Sequence, residues 1–190
     1  TDLPYDKPGN VPSVEYYNKI FGKGHWRSNT VVSLGIGQEE LTLVTLQMAN
    51  VVASIANRGY FYTPHCIKGV GVEKSLDKRF KEKHFTYVQN QLAYDNVLDG
   101  MQSCVDAGTG RASKLKDIIV CGKTGTAENP HGKDHAVFSA FAPREKPKIA
   151  IVCFIENAGF GGTWSAPIVG LMIEKYLTRK VTRPDVEKRM

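Results

Sequence analysis

Lys123, Thr124, Gly125 and Thr126 are the residues whose types and spacing could do chemistry. They lie in Gly122-Lys123-Thr124-Gly125-Thr126-Ala127-Glu128, directly after the apolar run Ile118-Ile119-Val120-Cys121, which reads as a strand. On such a strand Lys123 supplies a fixed cation. Thr124 and Thr126, two residues apart, put hydroxyl donors on one face. Gly125 lets a ligand approach the backbone closely. If the strand lines a cleft, an extended peptide can pair with it as an extra strand, its terminal carboxylate meeting the hydroxyls and the lysine. The chemistry is that of a carboxylate-peptide binding edge. A phosphate-binding loop would share Gly122-Lys123-Thr124, but its first glycine would fall on Asp117, and a turn, Glu128-Asn129-Pro130-His131-Gly132, stands where a helix should follow.

The elements that must position this strand can be read from the same pattern. Ser13 caps a short helix to about Phe21, ended by Gly22-Lys23-Gly24. Residues 31–37 alternate small and apolar side chains and read as a short strand entering a glycine turn. Thr45 to Asn57 reads as a helix with Leu46, Ala49, Val52, Ala53 and Ala56 on its apolar face, closed by Arg58-Gly59. Residues 60–72 suggest a strand or hairpin edge, and the charged residues 73–84 a mobile loop. Gln89 to Ala107 reads as a helix with Leu92, Val97, Met101, Cys104 and Val105 inward. Three strands follow, at 118–126, 136–142 and 148–156, with connections short enough for an antiparallel meander. The loop Gly159…Gly161-Gly162 reads as a flexible connector, and Pro167 sits in the first turn of a last helix to about Leu177. Helices, then a meander, then a helix give an α+β fold, an antiparallel sheet packed with helices.

Composition narrows the class. The chain has 190 residues, 42% hydrophobic and 23% charged, enough for a core of its own. The net charge of +6 is concentrated in Lys74–Lys83 and the tail beyond Arg179, without interleaved aromatic residues, so no nucleic-acid partner is expected. Cys66, Cys104, Cys121 and Cys153 form no C-x-x-C pair and have no histidine at zinc-ligand spacing. They are expected to be buried free thiols, and no metal or other cofactor is implied. No run approaches a membrane span. The chain opens on Thr1-Asp2-Leu3-Pro4 and reads as a piece of something longer, any anchor lying upstream.

The flanks of the Lys-Thr-Gly triplet carry a resemblance. The triplet is the third motif of penicillin-binding proteins and serine β-lactamases. Asp134-His135-Ala136-Val137-Phe138-Ser139-Ala140-Phe141-Ala142-Pro143 resembles the strand after it in the high-molecular-weight transpeptidases, as does 148–156. Ser33-Leu34-Gly35-Ile36-Gly37-Gln38 and Thr45-Leu46-Gln47-Met48-Ala49 resemble their S-x-G-x-G-Q…T-P-L-Q-x-A segment, with Leu46 where proline is usual. Pro12-Ser13…Trp26 is most similar to the elongation-type class B group, penicillin-binding protein 2. Residues 1–178 thus resemble the C-terminal half of a transpeptidase domain, with 179–190 a basic tail.

The resemblance implies an acyl-serine D,D-transpeptidase that cross-links cell-wall stem peptides ending in D-Ala-D-Ala and is acylated by β-lactams. It implies a place on the periplasmic face of the inner membrane among cell-elongation proteins. Lys123 would supply electrostatic attraction and assist proton transfer; Thr124 and Thr126 would bind the substrate carboxylate; the Thr126 backbone N–H would donate to the oxyanion. The family also needs an S-x-x-K nucleophile and an S-x-N motif, both of which precede the segment covered here. Ser75-Leu76-Asp77-Lys78 and Ser113-Lys114-Leu115-Lys116 fit S-x-x-K literally, but neither starts a buried helix, and both follow the Gly-Gln segment, against family order. Tyr94-Asp95-Asn96 falls inside a helix. His135 reads as a structural hydrogen-bonder and His25-Trp26 as packing. The chain alone is therefore expected to be inactive, and to self-associate through uncovered apolar surface or leave an open concave face beside the Lys-Thr-Gly strand; the alternative function is a non-catalytic peptide-binding or interaction module.

Overall fold

The computed structural model describes the chain except for residues 3–7, 39 and 89. It divides into two compact units. The smaller comprises the described residues from 8 to 44; the larger holds Thr1, Asp2 and residues 45–190.

In the smaller unit, helix α1 spans Val14–Phe21. Ser13 Oγ accepts the backbone N–H of Tyr16, and Glu15 sits in the first turn, where a negative charge suits the exposed N–H groups. Tyr17 is its buried residue. Trp26 stacks on Tyr17 at 5.4 Å and donates from Nε1 to Asn18 Oδ1 at 3.0 Å, so it serves packing, as expected. Residues 31–37 are not a strand: helix α2 spans Ser28–Gly35. The β-branched pair Val31-Val32 favours extended backbone locally. The glycine is instead a helix terminator. Gly37, at φ +79°, donates to the Leu34 carbonyl while Gln38 closes on that of Ser33.

The larger unit is built on a three-stranded antiparallel sheet in the order β3-β4-β5: Cys121–Ala127, His135–Ala142 and Ile149–Ile155. Central β4 is buried on both faces, which is why His135–Ala142 is apolar almost throughout instead of alternating. On one face Phe138 and Ala140 pack with Ala166, Val169 and Ile173 of helix α5, Ser165–Thr178. On the other, Cys121 and Phe141 meet Val52 and Ala56 of α3, Thr45–Ala56, and Leu98 and Met101 of α4, Gln91–Asp106. Helix, sheet and helices form three layers, and the α+β class holds.

Several local expectations change. In α4, Tyr94 and Leu98 are buried, whereas Leu92 and Val97 are exposed. The helical phase is set by the sheet it covers, not by the most apolar stripe. Of residues 60–72 only Tyr60–Phe61 is a strand (β1), paired with β2, His84–Phe85. The stretch 73–84 contains a 3₁₀ turn, Lys78–Phe80, whose Phe80 is buried and stacks on His65 at 4.5 Å. Cys66 is exposed, contrary to expectation; its backbone N–H instead binds the Asp2 carboxylate. Cys121 is buried and its thiol is pushed up to about 11 by desolvation. The tail carries a short helix α6, Pro184–Arg189.

Gly161 and Gly162 do not form a loose connector. A Cβ on Gly161 would overlap the Val137 carbonyl oxygen and lie 2.6 Å from that of Gly125. One on Gly162 would lie 2.5 Å from the Thr109 carbonyl. These glycines let the loop before α5 press against the sheet.

Candidate active-site strand

Strand β3 carries Lys123, Thr124, Gly125 and Thr126 at the edge of the sheet; among the described residues only β4 pairs with it. Its register sets Gly122, Thr124 and Thr126 opposite Ala140, Phe138 and Ala136, and Lys123 and Gly125 opposite Ser139 and Val137. Thr124 and Thr126 therefore share a face, as the spacing requires. Lys123 leaves from the other face, exposed, and its Nζ donates to the Thr124 carbonyl at 2.8 Å.

The strand is held from beneath. A Cβ on Gly122 would lie 2.5 Å from Phe138 Cζ, so glycine is required there by the core. A Cβ on Gly125 would lie 3.2 Å from Val137 Cβ, a packing reason for glycine beside the ligand-approach one. Burial thus falls from Cys121 and Gly122, both buried, to the more accessible residues that follow.

Sequence reasoning missed Thr109. Its Oγ1 lies 2.6 Å from Thr124 Oγ1 and 3.7 Å from Cys104 Sγ. The only signal in the sequence was a threonine flanked by glycines, Gly108-Thr109-Gly110, directly after the helix that ends near Ala107. A Cβ on Gly108 would meet the Cys104 carbonyl oxygen at 2.9 Å, and one on Gly110 the Phe138 ring at 3.0 Å.

The remaining candidates do not join the strand's chemistry. Ser113 is fully buried and donates to the Gly110 carbonyl at 2.8 Å. Ser75 is exposed and bridges Val70 across the turn of residues 71–74, its Oγ donating to the Val70 carbonyl at 3.4 Å. Tyr94-Asp95-Asn96 lies within α4. His135 Nδ1 accepts the Asn157 backbone N–H at 3.0 Å, a structural bond that joins the start of β4 to the end of β5. Among the described residues, no group of three His, Cys, Asp or Glu side chains could hold a metal ion, and no helix is long and apolar enough to cross a membrane.

The comparisons with known proteins agree with this geometry. The chain is 29% identical over 208 residues to the peptidoglycan D,D-transpeptidase MrdA of Haemophilus influenzae, covering 98% of this chain and 31% of that protein. Pseudomonas aeruginosa PBP2, solved in complex with WCK 5153, superposes with a TM-score of 0.77 at 30% identity, over 89% of this chain and 37% of that one. Helicobacter pylori PBP2, solved in complex with MreC, gives 0.74 at 27% identity, over 92% and 32%. The chain spans between about a quarter and a third of the length of the curated relatives it matches. The penicillin binding protein transpeptidase domain model matches residues 5–174. An edge strand bearing Lys-Thr-Gly on a sheet clamped between helices, with that match over most of its length, places the chain in the penicillin-binding protein transpeptidase family, most similar to its class B, PBP2-type members.

Proposed function

We propose that this chain is the substrate-holding half of a peptidoglycan D,D-transpeptidase, in which β3 binds the D-Ala-D-Ala end of a stem peptide, or a β-lactam in its place. The observation that carries the reading is the position of Lys123–Thr126 at a sheet edge, where an extended peptide can add as a strand. Thr124 and Thr126 donate to the substrate carboxylate, Gly125 admits its backbone, and the Lys123 ammonium attracts it and assists proton transfer around an acyl-serine. The Thr126 N–H donates to the oxyanion; loss of one such donor costs roughly 10²–10³ in rate.

In this reading the nucleophile belongs to a part of the enzyme outside this chain, and the chain alone forms no acyl-enzyme. The exposure of Lys78 and Lys116 supports this, since neither S-x-x-K lysine has the desolvated helix position that would make it a base. Residues 1–178 act as the C-terminal half of the transpeptidase domain and 179–190 as a basic tail. The whole enzyme works on the periplasmic face of the inner membrane, anchored through a segment outside this chain, within the elongation machinery; the complex of the H. pylori relative with MreC supports that assignment. Large apolar side chains exposed on the isolated chain, among them Val32, Ile36 and Phe160, favour self-association, which light scattering would register.

Incubation with benzylpenicillin followed by intact-mass analysis tests the reading. No covalent adduct is expected. A stoichiometric adduct on Ser75 or Ser113 would overturn it and make the chain a complete, rearranged acyl-serine enzyme.

A further inference from the structure

We infer that Thr109 is a positioning residue for the carboxylate site: its hydroxyl donates to Thr124 Oγ1 and thereby turns the Thr124 proton toward the bound carboxylate. The inference rests on the reading of β3 as a carboxylate-peptide edge.

A threonine hydroxyl has one proton to donate and two lone pairs. Across the 2.6 Å between Thr109 Oγ1 and Thr124 Oγ1, one oxygen must be the donor. If Thr124 donates to Thr109, its proton is consumed and it can offer a ligand only lone pairs, which a carboxylate cannot use. If Thr109 donates, the Thr124 proton is left for the ligand. An ionised carboxylate accepts only, so it selects the second arrangement. Cys104 Sγ, 3.7 Å from Thr109 Oγ1, can then supply a weak S–H donor to the lone pair left on Thr109. The chain Cys104, Thr109, Thr124, carboxylate runs in one direction, each bond polarising the next.

The backbone fixes Thr109 for this task. The Gly110 N–H donates to the Cys104 carbonyl at 3.0 Å, closing the loop after α4. A Cβ on Gly108 or Gly110 would crowd Cys104 and Phe138, and a Cβ on Gly162 would lie 2.5 Å from the Thr109 carbonyl. The same Gly162 position lies 3.7 Å from Thr124 Cγ2. Two packed loops therefore hold the two hydroxyls together, although Thr109 itself is exposed. A solvent-exposed threonine held on both sides by close-packed glycines, with its hydroxyl on the motif threonine, is better explained by a ligand than by stability.

The test is an NMR titration of this chain with acetyl-L-Lys-D-Ala-D-Ala and with its C-terminal amide. The wild-type chain is expected to prefer the acid. Thr109→Val should weaken binding of the acid about three- to tenfold, the worth of one hydrogen bond, and leave the amide unchanged. Thr109→Ser, which restores the hydroxyl, should bind the acid within twofold of wild type. Retention of the full acid preference in Thr109→Val overturns the inference and leaves the reading of β3 intact. Equal losses for acid and amide, or a serine variant as weak as the valine one, would make Thr109 a packing residue only and overturn it too. A wild-type chain that does not distinguish acid from amide sinks the reading of β3 itself, and the inference with it.

Discussion

The sheet of the larger unit and the helices of the smaller one contain similar apolar side chains, yet they hold them differently. Phe138, Ala140 and Phe141 on β4 and Val169 and Ile173 on α5 have no exposed surface. In the smaller unit α1 buries Tyr17, and α2 buries none of its residues, with Val31 and Val32 at least half exposed. The sheet is covered on both faces by elements of its own unit, so the presentation of β3 is fixed from within. The smaller unit is held instead by a cap, a tryptophan stacked on a tyrosine and a few hydrogen bonds, each worth about 1 kcal/mol. The candidate site stands on the part of the chain that needs least outside support.

The two tryptophans allow each unit to be followed separately, Trp26 in the smaller and Trp164 in the larger. Phe138→Ala would break the comparison most severely. The ring lies under both Gly122 and Gly110, so its loss opens a cavity beneath β3 and beneath the loop of Thr109. A cost of about 3–5 kcal/mol is expected. Urea unfolding of a Trp26→Phe background, read by Trp164, should show it as a large drop in midpoint. A midpoint unmoved by the cavity would mean that the sheet is not the stable part.

That contrast also explains what was legible in the sequence. Where side chains are buried on both faces, local pattern and final structure agree. The three strands, α3, α5 and the Lys-Thr-Gly edge lie where the residues placed them, within a few positions. Where little is buried, the pattern has nothing to arbitrate it. Val31 and Val32 read as strand and fold as helix α2, because among the described residues of that unit no sheet is there to use their β-branched faces. The error in α4 has a different origin. Leu92 and Val97 are more apolar than Tyr94, but the helix turns the face that meets Cys121 and Phe141. Thr109 was illegible because its partner lies 15 positions along the chain, and no spacing rule joins a helix-stop loop to the next strand's hydroxyl.

A second, smaller effect tests whether the tail belongs to the well-held region. Glu174 on α5 is buried and accepts from Arg183 Nε at 3.3 Å and from the backbone N–H and hydroxyl of Thr182. Burial pushes its carboxyl up, but the bonds from Thr182 and Arg183 outweigh it and hold the group below its ordinary value of 4.5. A depressed carboxyl stabilises the fold fully above the ordinary value and loses that stabilisation as pH falls through the folded one. Glu174→Gln should cost about 1–2 kcal/mol at pH 7, with Arg183 partly solvated. Asp2 and Asp106 are depressed in the same direction, so acidification weakens both proteins. The difference between wild type and Glu174→Gln should nevertheless shrink from pH 6 to pH 3 in thermal unfolding. A constant difference would show that the pair does not hold the tail.

The smallest effect belongs to the smaller unit. Ser13→Ala removes the acceptor for the Tyr16 N–H at the exposed start of α1. It should cost about 0.5–1 kcal/mol, the low end for caps because water can replace the hydroxyl. The change ought to be confined to one reporter. Trp26 is tied to α1 through Asn18 and Tyr17, so its fluorescence transition in urea should shift while that of Trp164, followed with Trp26 replaced, stays in place. If both transitions moved together by the same amount, the two units would unfold as one, and the local looseness of residues 8–44 would be a property of their surface and not of their stability. If only Trp26 responds, the separation is energetic, and the strand bearing Lys123–Thr126 keeps its geometry whether or not α1 is formed.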